Sequence, residues 1–151
     1  IISIRYNKLL KIFAEWMYMM HQNIIKSAKM LVDEANTIVD TITIEEAKNK
    51  INDNNYIFVD IRDFRELQKE GKIPGAFSCP RGMLEFWIDP ESPYHKDIFN
   101  QNKTYIFYCA SAWRSALAGK ISIEMGLTPV LHLKGGFNAW KESKSTIEVV
   151  G

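Results

Sequence analysis

The sequence is short of several things whose presence would have set its chemistry. It has two cysteines, Cys79 and Cys109, thirty residues apart and without a CxxC partner, and three scattered histidines. A disulfide framework needs paired cysteines in an oxidising compartment, and a structural zinc site needs four clustered ligands. The chain is therefore read as carrying free thiols in a reducing, cytoplasmic-type compartment, with no metal and no cofactor assigned. It also lacks an excess of either charge. Lys and Arg number 19 against 18 Asp and Glu, a net +1 that gives no reason to expect nucleic acid. No apolar run approaches the roughly 20 residues that span a bilayer. The densest, residues 16–20, follows Glu15, and no small-residue cleavage site of a secretory signal comes after it.

Glycine and proline are missing altogether from residues 1–36, so nothing there stops a helix. Leu9, Phe13, Trp16, Met20, Ile24, Leu31 and Ala35 recur along a segment rich in helix formers, which predicts one long amphipathic helix or two. Its apolar face is wide and aromatic. The segment is read either as packing on its own domain or on a second copy as a homodimer, or as contacting a membrane surface or a partner. Residues 1–36 are set apart as a helical extension and residues 37–151 as the main domain.

What is present begins with enough apolar material for one sizeable core, 46% hydrophobic against 25% charged. From residue 37 short strands alternate with helical segments. Strands are expected at residues 41–44, 56–60, 76–79, 104–108 and 129–133. Thr43 is the expected N-cap of a helix through Ile51, a charged helix runs over 63–69 and stops at Gly71, and a short helix over 137–141 follows Gly135 and Gly136. Such alternation implies a mostly parallel sheet covered on both faces, with the active site at the carboxyl ends of its strands. Asp60, Arg62 and Cys109 fall at such ends.

The stretch that organises the chain is residues 104–126. Thr104, Tyr105, Ile106, Phe107 and Tyr108 show no polar alternation, as in a strand buried on both faces. Cys109 follows, and from Leu117 the apolar positions Leu117, Ala118, Ile121 and Met125 repeat at helical spacing up to Gly126. A cysteine at a strand end, just before a helix N-terminus and near Arg114, sits where a negative charge is favoured. There the thiol pKa is expected to fall from about 8.5 into a range of roughly 3.5–7.5. No proline interrupts Ala110, Ser111, Ala112, Trp113, Arg114 and Ser115, whose amides are free to cradle an anion. A buried structural cysteine ending a core strand is the alternative on these residues alone.

Four motifs then appear in order: Val59-Asp60-Ile61-Arg62, Lys72-Ile73-Pro74-Gly75-Ala76, Tyr108-Cys109 through Arg114-Ser115, and Lys134-Gly135-Gly136-Phe137-Asn138-Ala139-Trp140. Over residues 37–142 they resemble a single-domain rhodanese-like (sulfurtransferase) protein. The resemblance implies an α/β fold with a central, mostly parallel sheet of five strands and helices on both faces. It implies that Cys109 takes a sulfane sulfur from thiosulfate or another persulfide donor and passes it, as a persulfide, to a thiol or cyanide-type acceptor. The loop residues 110–115 would bind the anionic donor. Asp60, Arg62 and Arg81 would support the site.

Four residues separate Cys109 from Arg114. The related dual-specificity phosphatases have a loop longer by one, wide enough for phosphate, so phosphatase activity is the weaker implication. A non-catalytic or sulfur-carrier module that binds a protein partner is the other alternative. Three positions depart from the common family pattern. Ala112 replaces a frequent glycine, which at positive φ would store about 1–3 kcal/mol. Lys72 replaces a frequent histidine. Ser111 stands where some thiosulfate users place a cation, which directs attention to other persulfide donors. Cys79 is read as a buried small hydrophobe, and His132, between Leu131 and Leu133, as a structural histidine with satisfied hydrogen bonds.

Overall fold

The run at residues 104–108 forms the central strand of a wholly parallel sheet. The computed structural model describes residues 2–151. Two helices come first, α1 (Ile2–Met20) and α2 (Ala28–Asn36), followed by β1 (Asp40–Ile42), α3 (Ile44–Lys48), β2 (Tyr56–Asp60), α4 (Phe64–Glu70) and β3 (Phe77–Ser78). Next come α5 (Leu84–Ile88), β4 (Thr104–Tyr108), α6 (Trp113–Glu124), β5 (Val130–Leu133) and α7 (Gly136–Glu142). The strand order is β1-β5-β4-β2-β3, every neighbouring pair is parallel, and β4 lies in the middle. This is the five-stranded α/β architecture that the resemblance implies.

β4 divides the core by its two-residue period. Tyr105, Phe107 and, just beyond the strand, Cys109 join Val59, Ile61, Ala118 and Val130 on the face covered by α6. Ile106 and Tyr108 join Phe58, Leu133, Phe137 and Trp140 on the face covered by α7. All of Tyr105 through Tyr108 are fully buried, which is why this strand carries no polar alternation.

The helix ends follow their capping residues. Thr43 forms a capping box with Glu46 at the start of α3, and α4 begins likewise: the Asp63 amide donates to Glu66 Oε2 at 3.0 Å while Asp63 Oδ1 accepts from the Arg65 amide at 2.9 Å. α3 stops at Lys48, short of the expected Ile51, because Asn49 caps it. α6 starts at Trp113, well before the Leu117 where its apolar repeat begins. A helix's first turn needs no apolar face, so periodicity dates its start late.

The extension resolves as two helices broken between Met20 and Ala28, where Ser27 Oγ caps α2 by accepting from the Met30 amide at 3.1 Å. α2 packs Val32 and Ala35 against Ala116 and Leu117 of α6. α1 by contrast leaves Leu9, Phe13 and Trp16 exposed. No helix among the described residues is long and apolar enough to cross a membrane.

Candidate active site

Cys109 leaves the carboxyl end of β4 with 1% of its surface exposed. Its sulfur accepts the Ser115 amide at 3.4 Å, so the first turn of α6 presents a donor to the place where a thiolate charge would sit. The amides of Ala110 through Arg114 have no protein acceptor among the described residues. Between them the chain makes a tight reversal: Ala112 takes φ 69°, ψ 4° as the residue before α6. That is the left-handed conformation which favours glycine, and here a Cβ is carried in it.

The loop's carbonyls are engaged on the other side. The Phe137 amide donates to Cys109 O at 2.8 Å and the Asn138 amide to Ala110 O at 3.0 Å, both from the start of α7. Gly136 permits the approach: a Cβ there would meet Ala110 O at 2.5 Å and Cys109 O at 2.7 Å. With these two carbonyls held outward, the loop is left to offer N–H groups, the arrangement of an anion-binding nest. Ser111 and Trp113 are exposed, whereas Ser115 is fully buried.

Arg114 is half-exposed but paired. Its guanidinium forms a bidentate pair with Glu66 of α4, Nη1 to Oε2 at 2.9 Å and Nη2 to Oε1 at 3.0 Å. Glu66 holds the Arg114 pKa above its ordinary value, with the Cys109 sulfur a lesser contributor of the same sign. Arg114 in turn is the main cause that holds the Glu66 carboxyl below its ordinary 4.5. A carboxylate so depressed stabilises the fold above its unfolded value and ceases to do so as the pH falls through the folded one. Glu66→Gln is therefore expected to lower the urea midpoint at neutral pH, with the gap to the parent closing in acid below 4.5. Denaturation at several pH values measures it.

A family model described as Rhodanese-like domain matches residues 43–143, a span that contains β4, the loop and α7. The chain belongs to the rhodanese-like domain family. Among relatives, it is 30% identical over 104 residues to a sulfurtransferase of Allochromatium vinosum, covering 68% of this chain and 89% of that one. It is 25% identical over 104 residues to thiosulfate sulfurtransferase/rhodanese-like domain-containing protein 3 of Mus musculus, covering 66% of each. The stretch shared with the mouse protein thus falls just short of two thirds of that protein's length. A solved structure from Rhodopseudomonas palustris, a protein of unknown function described as a possible tyrosine phosphatase, matches with 51% identity and a TM-score of 0.82. That match covers 85% of this chain and 98% of the other, and so takes in more of this chain than residues 43–143.

Within this rhodanese-like domain the three residues expected to support the site make their side-chain contacts away from the loop. Asp60 and Arg62 form a fully buried pair, with Nη2 to Oδ2 at 2.7 Å and Nε to Oδ1 at 3.0 Å. The guanidinium also donates to Gly71 O at 2.8 Å and stacks over Phe137, 4.1 Å from the ring centre. Since the Phe137 amide holds the Cys109 carbonyl, the pair reaches the loop through α7 rather than by facing the cradle. Arg81 is half-buried and pairs with Glu85 at 2.5 Å on the segment that opens α5. Lys72, at the histidine position, bonds Glu148 at 3.1 Å and the Ala76 carbonyl at 2.8 Å.

Cys79 is fully buried, and burial pushes its thiol up to about 12. Ser78 and Tyr108 flank Asp60 in register from opposite sides, which sets Cys79 and Cys109 about 9.5 Å apart, two strand spacings. A disulfide between them would require the backbone to move. Among the described residues no group of three or more His, Cys, Asp and Glu side chains could hold a metal ion. Sequence reasoning missed Glu66 as the partner of Arg114. Glu66 lay unremarked within the charged helix expected over 63–69, and no spacing links it to Arg114.

Proposed function

We propose that this rhodanese-like domain is a sulfurtransferase that works through a Cys109 persulfide. The Cys109 thiolate attacks the outer sulfur of thiosulfate or of another persulfide donor. A sulfur–sulfur bond forms to Cys109 as the donor's own bond to that sulfur breaks, and sulfite, or the thiolate of a persulfide donor, leaves with the electron pair. A thiolate or cyanide then attacks the outer sulfur of the persulfide and returns the Cys109 thiolate. Two transfers through one nucleophile make this covalent catalysis. The observation that carries the reading is the loop itself: a cysteine whose sulfur accepts a helix N-terminal amide, inside a turn whose carbonyls are tied down by α7. Amides fixed in this way stabilise a terminal sulfur anion without reorganising, as an oxyanion hole does for oxygen.

The description of the R. palustris protein as a possible tyrosine phosphatase supplies a second reading. Four residues between Cys109 and Arg114 and the engagement of Arg114 by Glu66 count against it. A phosphoryl group needs a wider nest and a free guanidinium. The test is intact mass after incubation with thiosulfate. Gain of one sulfur atom, released by cyanide or by a thiol, is the expected result. Hydrolysis of p-nitrophenyl phosphate without any sulfur gain from thiosulfate or a small-molecule persulfide would replace the sulfurtransferase reading with the phosphatase one.

A further inference from the structure

On the α6 face of the sheet a chain of hydrogen bonds leads from Cys109 out of the rhodanese-like domain to α2. Cys109 Sγ lies 3.6 Å from Ser115 Oγ. Ser115 Oγ lies 3.0 Å from His132 Nδ1. His132 Nε2 lies 2.9 Å from Oδ1 of Asn36, the last residue of α2. Cys109, Ser115 and His132 are all at most 1% exposed, while Asn36 stands at the surface.

The outer end fixes the polarity of the whole chain. The Asn36 carbonyl oxygen can only accept, so His132 carries its hydrogen on Nε2 and, when neutral, presents a bare Nδ1. Ser115 must donate to that nitrogen, and its oxygen is left to accept from the thiol. The order is then S–H to O–H to Nδ1, with every donor pointing away from the sulfur. A serine committed to His132 in this way cannot donate to a Cys109 thiolate. As static packing the network would leave the nucleophile the Ser115 amide but deny it the hydroxyl's hydrogen bond; as a path for a proton it supplies that one too.

We propose that His132 is the proton acceptor for Cys109, acting through the Ser115 hydroxyl, with Asn36 as the positioning residue that sets the tautomer. The S–H bond breaks and its proton passes to Ser115 Oγ, while the proton Ser115 held passes to His132 Nδ1. The electron pair stays on sulfur, Ser115 ends as a hydroxyl that now donates to the thiolate, and the imidazole becomes an imidazolium. No other reactant is needed. His132 also borders a hollow of about 320 Å³ beyond the loop, whose charged lining residues are Asp40 of β1 and Lys134 after β5, one of each sign. The other groups that meet the imidazole, Ser115 of α6 and Asn36 of α2, carry no charge. Burial lowers the His132 pKa, so the imidazolium depends on the thiolate beside it and gives the proton back once the sulfur is capped.

The inference rests on reading Cys109 as a nucleophile, but its test needs no sulfur donor. Cys109 is alkylated with iodoacetamide at neutral pH and again well above the ordinary thiol value of about 8.5, with mass mapping to Cys109. His132→Gln is expected to slow the neutral reaction on the order of tenfold relative to the parent and to leave the alkaline one unchanged. Asn36→Asp, at an exposed position, is expected to speed the neutral reaction, because a carboxylate on Nε2–H favours the imidazolium. A structural role would not produce that rise. Equal slowing of His132→Gln at both pH values, or a neutral rate matching the parent, overturns the relay. Should His132→Gln fail to fold, Asn36→Asp decides alone, and an unchanged or lowered rate overturns it. A parent that shows the expected pattern yet takes up no sulfur would defeat the sulfurtransferase reading and leave the relay standing. A parent that loads sulfur beside variants with unaltered alkylation would defeat the relay only.

Discussion

Cys109→Ser is expected to take up no sulfur from any donor while melting at nearly the temperature of the parent. The two halves of this result come from different physics. A serine hydroxyl has an ordinary pKa far above that of a thiol, so a base strong enough for the thiol leaves the hydroxyl protonated, and the covalent intermediate is lost entirely. The fold is spared because the replacement is nearly isosteric. The Ser115 amide, 3.4 Å from the sulfur in the parent, remains available to the buried hydroxyl. A satisfied hydrogen bond in a small, closed site limits the cost to about 1 kcal/mol. Intact mass and thermal melting on one preparation read both halves. Sulfur gained by the variant would move the nucleophile elsewhere, and the deeply buried Cys79 would be the next residue to replace.

The second large effect belongs to stability. Asp60→Ala is expected to cost about 3–5 kcal/mol, seen as a sharp fall in the urea midpoint. The Asp60 carboxylate accepts from Arg62 Nε, Nη2 and the Arg62 amide, and the Arg62 guanidinium is fully buried. Removing the carboxylate strands that charge among apolar rings, with the Gly71 carbonyl and a 3.4 Å contact to Glu70 as its remaining oxygen partners. The penalty is for an uncompensated charge, not a measure of what the pair contributes. Replacing both residues with apolar side chains of matching size is accordingly expected to recover most of the loss. Because Arg62 stacks on Phe137, whose amide holds the Cys109 carbonyl, Asp60→Ala is also expected to slow alkylation of Cys109 under conditions where the variant is still folded.

Much of this was written locally in the chain. β4 announces itself because a strand covered on both faces needs no polar residue, and Cys109 follows it where the strand gives way to a helix N-terminus. Thr43 and Asp63 declare helix starts because their side chains act within three residues. The contacts that turn these elements into a site are of another kind. Arg114 meets Glu66 across 48 positions and His132 meets Asn36 across 96, and no period or spacing encodes either pairing. Gly136 looks like a plain helix-start glycine until the loop backbone is seen to pass against it. The break between α1 and α2 was equally hidden, since neither glycine nor proline marks it and only Ser27, acting as a cap, locates the second helix.

The packing of α2 on α6 also bears on where this protein begins as a physical object. The unit that the family model matches starts at residue 43, yet Val32 and Ala35 roof Ala116, next in the chain to the serine beside Cys109. Trimming the chain to the shared unit would therefore unroof part of the core, wet the histidine behind the cradle and remove its outer partner in a single cut. The span common to the family and the unit that folds do not share an edge here, and a gene fusion or a splice that respected only the first would deliver a domain whose His132 has lost its Asn36 partner.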